Sequence, residues 1–166
     1  MVRNLIMFSF FSLLMLLLLN GCNSIEVIDG ENLFEFKDSY VGDAGAVGNI
    51  TRQLPKPSGE QISGMELQTS EEPYGIILNY IAVEHSEDIE TNYSELAIYN
   101  ATIILSLVKN ADWVNFNFIN QEFEVRREDL QKFYGKDIRE FNTEEELRMF
   151  MQKKLEDENK VLQFFK

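Results

Sequence analysis

Two pairs of short strand-like segments, three of the four with apolar residues at every second position, leave this chain little freedom in how it folds. Val114, Phe116 and Phe118 alternate with Asn115 and Asn117, while Phe123 and Val125 alternate with Glu122, Glu124 and Arg126. Alternation of this kind marks half-buried strands. A two-residue turn at Asn120-Gln121 sets Phe118 opposite Phe123 and Phe116 opposite Val125, so both strands offer the same apolar face. Further upstream, Met65, Leu67 and Thr69 alternate with Glu66 and Gln68, and Ile76 to Ile81 reads as a more buried strand. A four-residue loop at Ser70-Glu71-Glu72-Pro73 places Leu67 opposite Ile76 and Met65 opposite Leu78.

Helical spacing fills the intervals. Asp43 caps a short helix with Val47, Ile50 and Leu54 on one face, ended by Pro55 and Pro57. Asn92 followed by Glu95 resembles a capping box. It opens a helix to about Lys109 with a wide apolar surface and a polar stripe of Glu95, Thr102, Ser106 and Lys109. A short helix from Asp129 to Tyr134 stops at Gly135. Thr143 with Glu146 caps a last helix that carries Leu147, Phe150, Met151 and Leu155 on one face. The order α-β-β-α-β-β-α-α predicts an α+β fold, an antiparallel four-stranded sheet with helices packed on it.

The amino terminus reads differently. Arg3 precedes an uncharged apolar run from Leu5 to Leu19, followed by Asn20, Gly21 and the single cysteine, Cys22. The run of fifteen residues falls short of the roughly 20 that a membrane-spanning helix needs. The order basic residue, apolar run, small residue and cysteine is that of a lipoprotein signal peptide. Leu19-Asn20-Gly21-Cys22 resembles the bacterial lipobox, with Asn20 where Ala, Ser or Thr is usual. Cleavage is then expected between Gly21 and Cys22, with lipidation of Cys22 through its nucleophilic sulfur. Each buried CH₂ of a palmitate-like chain adds about 0.8 kcal/mol, so two or three chains hold durably where one is marginal. The expected division is a signal peptide over 1–21, a tether over 22–32 and a single α+β domain over 33–166.

Removing residues 1–21 takes away one of the 15 basic residues and none of the 28 acidic ones, which leaves 14 against 28. Such an excess argues against nucleic acid as a partner, because its binders need basic clusters to displace counterions. It equally disfavours lying flat on an anionic bilayer. Cationic peptides, metal cations and neutral glycans stay compatible. One cysteine allows no intramolecular disulfide, and none linking a partner is expected once that cysteine is lipidated.

Phe36-Lys37, Tyr40-Val41-Gly42-Asp43, Val47-Gly48-Asn49, Leu54-Pro55, Leu67-Gln68-Thr69, Pro73-Tyr74-Gly75 and Asn79-Tyr80 occur in this order along the chain. Together they resemble the bacterial family called domain of unknown function 4825, across roughly residues 34 to 125, with Ala44 where Asn is expected. The resemblance implies an extracytoplasmic domain of low-GC Gram-positive bacteria and implies no activity.

Candidate chemistry is sparse. His85 is the only histidine and sits in Glu84-His85-Ser86-Glu87-Asp88. Neighbours along a loop rarely reach the geometry of a nucleophile, base and orienting acid, so an exposed loop is the simpler reading. A zinc site needs three or four ligands that one histidine and a lipidated cysteine do not supply. Glu87, Asp88 and Glu90 lack the glycine-containing calcium-loop pattern. No catalytic residue, metal or cofactor is therefore expected. The reading is a lipid-anchored extracytoplasmic module that binds or regulates an envelope protein. The alternative is a small envelope hydrolase with a carboxylate-based site.

Overall fold

The computed structural model describes residues 32–83 and 91–166. After a 3₁₀ turn at Leu33–Phe36, the chain runs through α1 (Ala44–Arg52), β1 (Glu60–Gln68) and β2 (Gly75–Ala82). It continues through α2 (Tyr93–Leu107), β3 (Trp113–Asn117), β4 (Glu122–Arg126) and α3 (Arg127–Tyr134). A second 3₁₀ turn at Ile138–Glu140 leads to α4 (Glu144–Leu155) and α5 (Glu158–Phe164). The fold is mixed α+β with one four-stranded sheet in the order β1-β2-β3-β4.

The strands do not form a purely antiparallel sheet. β1–β2 and β3–β4 are antiparallel, but β2 and β3 run parallel, with Ile76 beside Val114 and Leu78 beside Phe116. The cause is the connection. Between β2 and β3 the chain makes α2, which packs on β3 and β4. A helix that crosses a sheet returns the chain to the end where it started, so the next strand lies parallel to the last.

The first hairpin has the expected register, with Leu67 opposite Ile76 and Met65 opposite Leu78. β1 begins earlier than its alternation suggests, because a bulge between Ile62 and Gly64 resets the phase. One extra residue, Ser63, lets Ile62 and Met65 face the same side although three positions separate them. The second hairpin is shifted by two residues from the expected pairing. Phe116 lies opposite Phe123 and Val114 opposite Val125, so 118–121 form a longer connection. Phe118 leaves the ladder for an aromatic cluster, its ring centroid 4.7 Å from Tyr80 and 5.0 Å from Tyr93. A slip of two preserves the inward face, and Phe116 and Val125 are fully buried.

Helix starts follow local chemistry. Asp43 accepts from the Ala46 amide at 3.0 Å, Asn92 from Glu95 at 3.3 Å and Thr143 from Glu146 at 3.3 Å. Each bond satisfies an amide left orphaned in a first helical turn. Gly135, at φ 71°, ends α3 in the left-handed conformation that glycine adopts without steric cost.

The polar stripe expected on α2 faces solvent only at its ends, where Lys109 is exposed and Glu95 half-buried. Thr102 and Ser106 are buried with their apolar neighbours, as is every residue from Leu96 to Leu107. Their hydroxyls turn back onto the helix, Thr102 donating to the Ile98 carbonyl at 2.7 Å and Ser106 to that of Ile103 at 2.8 Å. Thr102 also meets the Tyr134 hydroxyl at 3.0 Å. A helix surrounded on all sides can keep such residues only by satisfying them internally.

Candidate functional site

Among the described residues the helical core covers one face of the sheet and none packs across the other. Outward positions are Gln61, Gly64, Glu66 and Gln68 on β1, then Ile77, Asn79 and Ile81 on β2. β3 adds Trp113, Asn115 and Asn117, and β4 adds Glu122, Glu124 and Arg126. Ile81 is 47% exposed. Asn79 and Asn115 at mid-strand positions, and Asn117 at the end of β3, run against strand propensity, which favours β-branched and aromatic residues. Local rules broken at neighbouring positions are a marker of function.

These asparagines organise the surface around them. The Asn117 carboxamide donates to the Asn79 side-chain oxygen at 2.7 Å, and Asn79 donates to Glu66 at 3.1 Å. Asn115 donates to Glu122 at 2.8 Å. Glu124 pairs with Arg126 at 2.5 Å. Three exposed carboxylates are thus held in place on a flat polar floor. The Asn115 side-chain oxygen is buried without a hydrogen-bond partner.

Trp113 borders this floor. Its indole lies across Gly75, and a Cβ built on Gly75 would meet the indole ring at 2.0 Å. Its Nε1 donates to the Pro73 carbonyl at 3.0 Å. The missing side chain at Gly75 is what lets the indole lie flat against β2. A glycine opening a mostly apolar strand, with a tryptophan at the start of another, is the sequence signal for this contact. Neither residue's role can be read without the parallel pairing that puts Gly75 beside Trp113.

Beside the tryptophan is a cleft of about 430 Å³, lined by residues that include Pro73, Asp112, Arg126, Arg127, Gln131 and Arg139. Its guanidinium groups are answered within the fold. Arg139 forms a fork with Asp137, with Nη2 at 2.7 Å, and this bond holds the Asp137 carboxyl well below the usual range. Arg127 is 7% exposed and donates to the carbonyls of Leu105 at 2.5 Å, Val108 at 3.0 Å, Lys109 at 3.4 Å, and Ala111. It is a cation at the carbonyl-rich end of α2, favoured there by the helix dipole. Burial pushes its guanidinium down to about 10.

A third polar cluster sits where β1 begins. Glu60 is 5% exposed, accepting from the Tyr93 hydroxyl at 2.7 Å and the Ile119 amide at 3.2 Å. The bond to Glu60 raises the Tyr93 phenol to about 12. Tyr80 is raised further, by burial first and then by the Glu60 charge. Tyr93 also lines a cleft of about 490 Å³ with Thr91, Asn92, Ser94 and Gln121.

Gly21 and Cys22, the expected cleavage and lipidation positions, lie outside the described residues, as do His85, Glu87, Asp88 and Glu90. Among the described residues no group of three or more His, Cys, Asp or Glu is placed to hold a metal ion. None of their helices is long and apolar enough to cross a membrane.

The geometry defines an α+β domain with one face of its sheet carrying an ordered polar array. The chain belongs to the family described as Domain of unknown function (DUF4825), whose model matches residues 33–130. The match runs from the first 3₁₀ turn into α3 and so takes in all four strands. No curated protein and no solved structure matches the chain.

Proposed function

We propose that this chain is a lipoprotein held on the extracytoplasmic face of a bacterial cell membrane through Cys22, where it serves as a non-catalytic module that binds or regulates an envelope protein. The anchoring part is supported by the sequence, in which Arg3, the apolar run and Gly21-Cys22 stand in the order that lipoprotein processing requires. The binding part is supported chiefly by the open sheet face. Its carboxylates are fixed by Asn79, Asn115 and Arg126 of the same face, and a surface ordered in advance loses less entropy when it engages a partner.

The experiment is lipid labelling in the native host. Cys22→Ser should abolish incorporation of labelled palmitate and leave the uncleaved precursor. A variant still cleaved and lipidated would refute the anchor. A photo-crosslinking residue in place of Asn117 should trap a discrete envelope protein, whereas crosslinks no more frequent than from an exposed helical position such as Gln152 would refute the binding module.

The alternative, a small envelope hydrolase, has one observation behind it, the buried Glu60 carboxylate bonded to a tyrosine that lines a cleft. The binding reading is preferred because both oxygens of Glu60 are occupied by groups of the fold.

A further inference from the structure

We propose that the partner of the open sheet face is a basic polypeptide segment in extended conformation, whose lysine or arginine side chains are received by Glu66, Glu122 and Glu124. This rests on the binding-module reading and names the chemistry of its partner. The face carries three carboxylates against one guanidinium, Arg126, which is already paired with Glu124. No lysine projects from it, the other outward side chains being glutamine, asparagine, isoleucine and tryptophan.

The carboxylates are not a loose acidic patch. Glu66 and Glu122 are each held through one oxygen by an asparagine of the central strands, and Glu124 by Arg126. A carboxylate has two acceptor oxygens, so each retains one for a cationic donor. Glu66 and Glu124 stand in one row across the sheet, Glu66–Ile77–Asn115–Glu124. With strands about 4.8 Å apart, three spacings separate the two glutamates by roughly 14 Å. Side chains at i and i+4 of an extended chain share a face and lie about 13–14 Å apart. A segment with basic residues at that spacing matches both ends of the row.

The floor around the glutamates suits such a segment. Between Glu66 and Glu124, Ile77 offers an apolar surface for the methylene stem of a lysine, and in the neighbouring row the indole of Trp113 offers an aromatic face attractive to a cation. The formal net charge of −13 steers a basic partner toward this molecule at a distance. Contacts on this face then fix where it docks.

Trp113 is the only tryptophan in the chain and lies on the proposed surface, so its fluorescence reports docking there. The full chain, in a non-ionic detergent, is titrated with a peptide of alternating lysine and threonine, with a glutamate–threonine peptide, and with a neutral chito-oligosaccharide. The lysine peptide should change the Trp113 emission and bind more weakly as salt rises. The triple variant Glu66→Gln, Glu122→Gln, Glu124→Gln should bind it about tenfold more weakly, as expected when close charge pairs are lost. Glutamine keeps an acceptor for the Asn79 and Asn115 carboxamides and for the Arg126 guanidinium, so the surface stays ordered. A variant with the same charge change elsewhere, Glu145→Gln, Glu146→Gln, Glu156→Gln, should bind within about twofold of the original chain, since distant charges are screened.

Equal weakening in both triple variants would mean diffuse attraction to an acidic protein and would overturn the proposal. So would failure of the lysine peptide to bind, or binding of the oligosaccharide in its place. Those outcomes leave the binding-module reading intact, because that reading is tested by palmitate labelling and crosslinking in the host.

Discussion

Replacing Arg127 by methionine removes a charge while keeping most of the volume, and so isolates what the guanidinium does. Four backbone carbonyls, those of Leu105, Val108, Lys109 and Ala111, accept from Arg127 at the end of α2. Most of these bonds are buried, so water does not readily take the place of the lost donor. A buried acceptor left unpaired costs about 1–3 kcal/mol, and a hydrogen bond to a charged group is worth about 1.5–3 kcal/mol net. Burying the cation is itself unfavourable, as its lowered pKa records, so these figures do not simply add. Removing one member of a buried charged arrangement typically costs about 3–5 kcal/mol, the value expected here. Against a domain stability of about 5–15 kcal/mol this is a large fraction. Arg127→Lys should lose less, on the order of 1.5–3 kcal/mol, since an ammonium keeps the charge but cannot fork across the same carbonyls. The assay is urea unfolding of the full chain in detergent, followed by far-ultraviolet circular dichroism, with the midpoint compared at unchanged slope. An Arg127→Met midpoint within about 1 kcal/mol of the original would refute the reasoning, because the α2 carbonyls would then have found other partners.

Gly75→Ala tests the tryptophan platform. The new Cβ overlaps the Trp113 ring, so the indole should swing off β2 and its emission should change; the overpacking should cost about 1–3 kcal/mol, and an unchanged spectrum and midpoint would contradict the placement. Alkaline titration tests the tyrosines. Tyr93 is raised to about 12, and Tyr80 and Tyr134 are raised as well. A phenol that holds its proton more tightly when folded contributes stability in full below the unfolded value near 10, and this is lost as pH rises through the folded value. The chain should therefore unfold cooperatively above about pH 10, with tyrosinate absorbance and circular dichroism changing together, and ionisation of all tyrosines with the fold intact would refute the burial.

The array on the open face was only half legible in the sequence. Alternation placed Asn115 and Asn117 outward correctly, since the period of two is a property of the backbone itself. It did not link them to Glu66 or Asn79, because the partners of a strand's outward residues depend on which strand lies beside it. The inward position of Glu60 is hidden from the sequence for a related reason. Bulge and strand extension carry it to the inner face, where Tyr93 and Ile119 meet it from distant parts of the chain. Net charge gave no sign of the arginines around Asp112, since a total does not report where charges gather.

What the sequence determined by itself is whatever a few neighbouring residues decide. Asp43, Asn92 and Thr143 start their helices through bonds spanning three residues, and Gly135 ends one. The inward choice of Phe116 and Val125 follows from the local alternation of their strands. Tertiary structure decided the direction of β3 beside β2, the register of the second hairpin and the burial of α2 from Leu96 to Leu107. Each of these pits nearly equivalent local options against one another. A hairpin slipped by two residues keeps every side chain on its face, and Thr102 can face water or bond back to its own helix. Only contacts between distant residues, Phe118 with Tyr80 and Tyr93, Arg127 with the end of α2, and Trp113 over Gly75, separate these options in energy, and they exist only once the chain has folded.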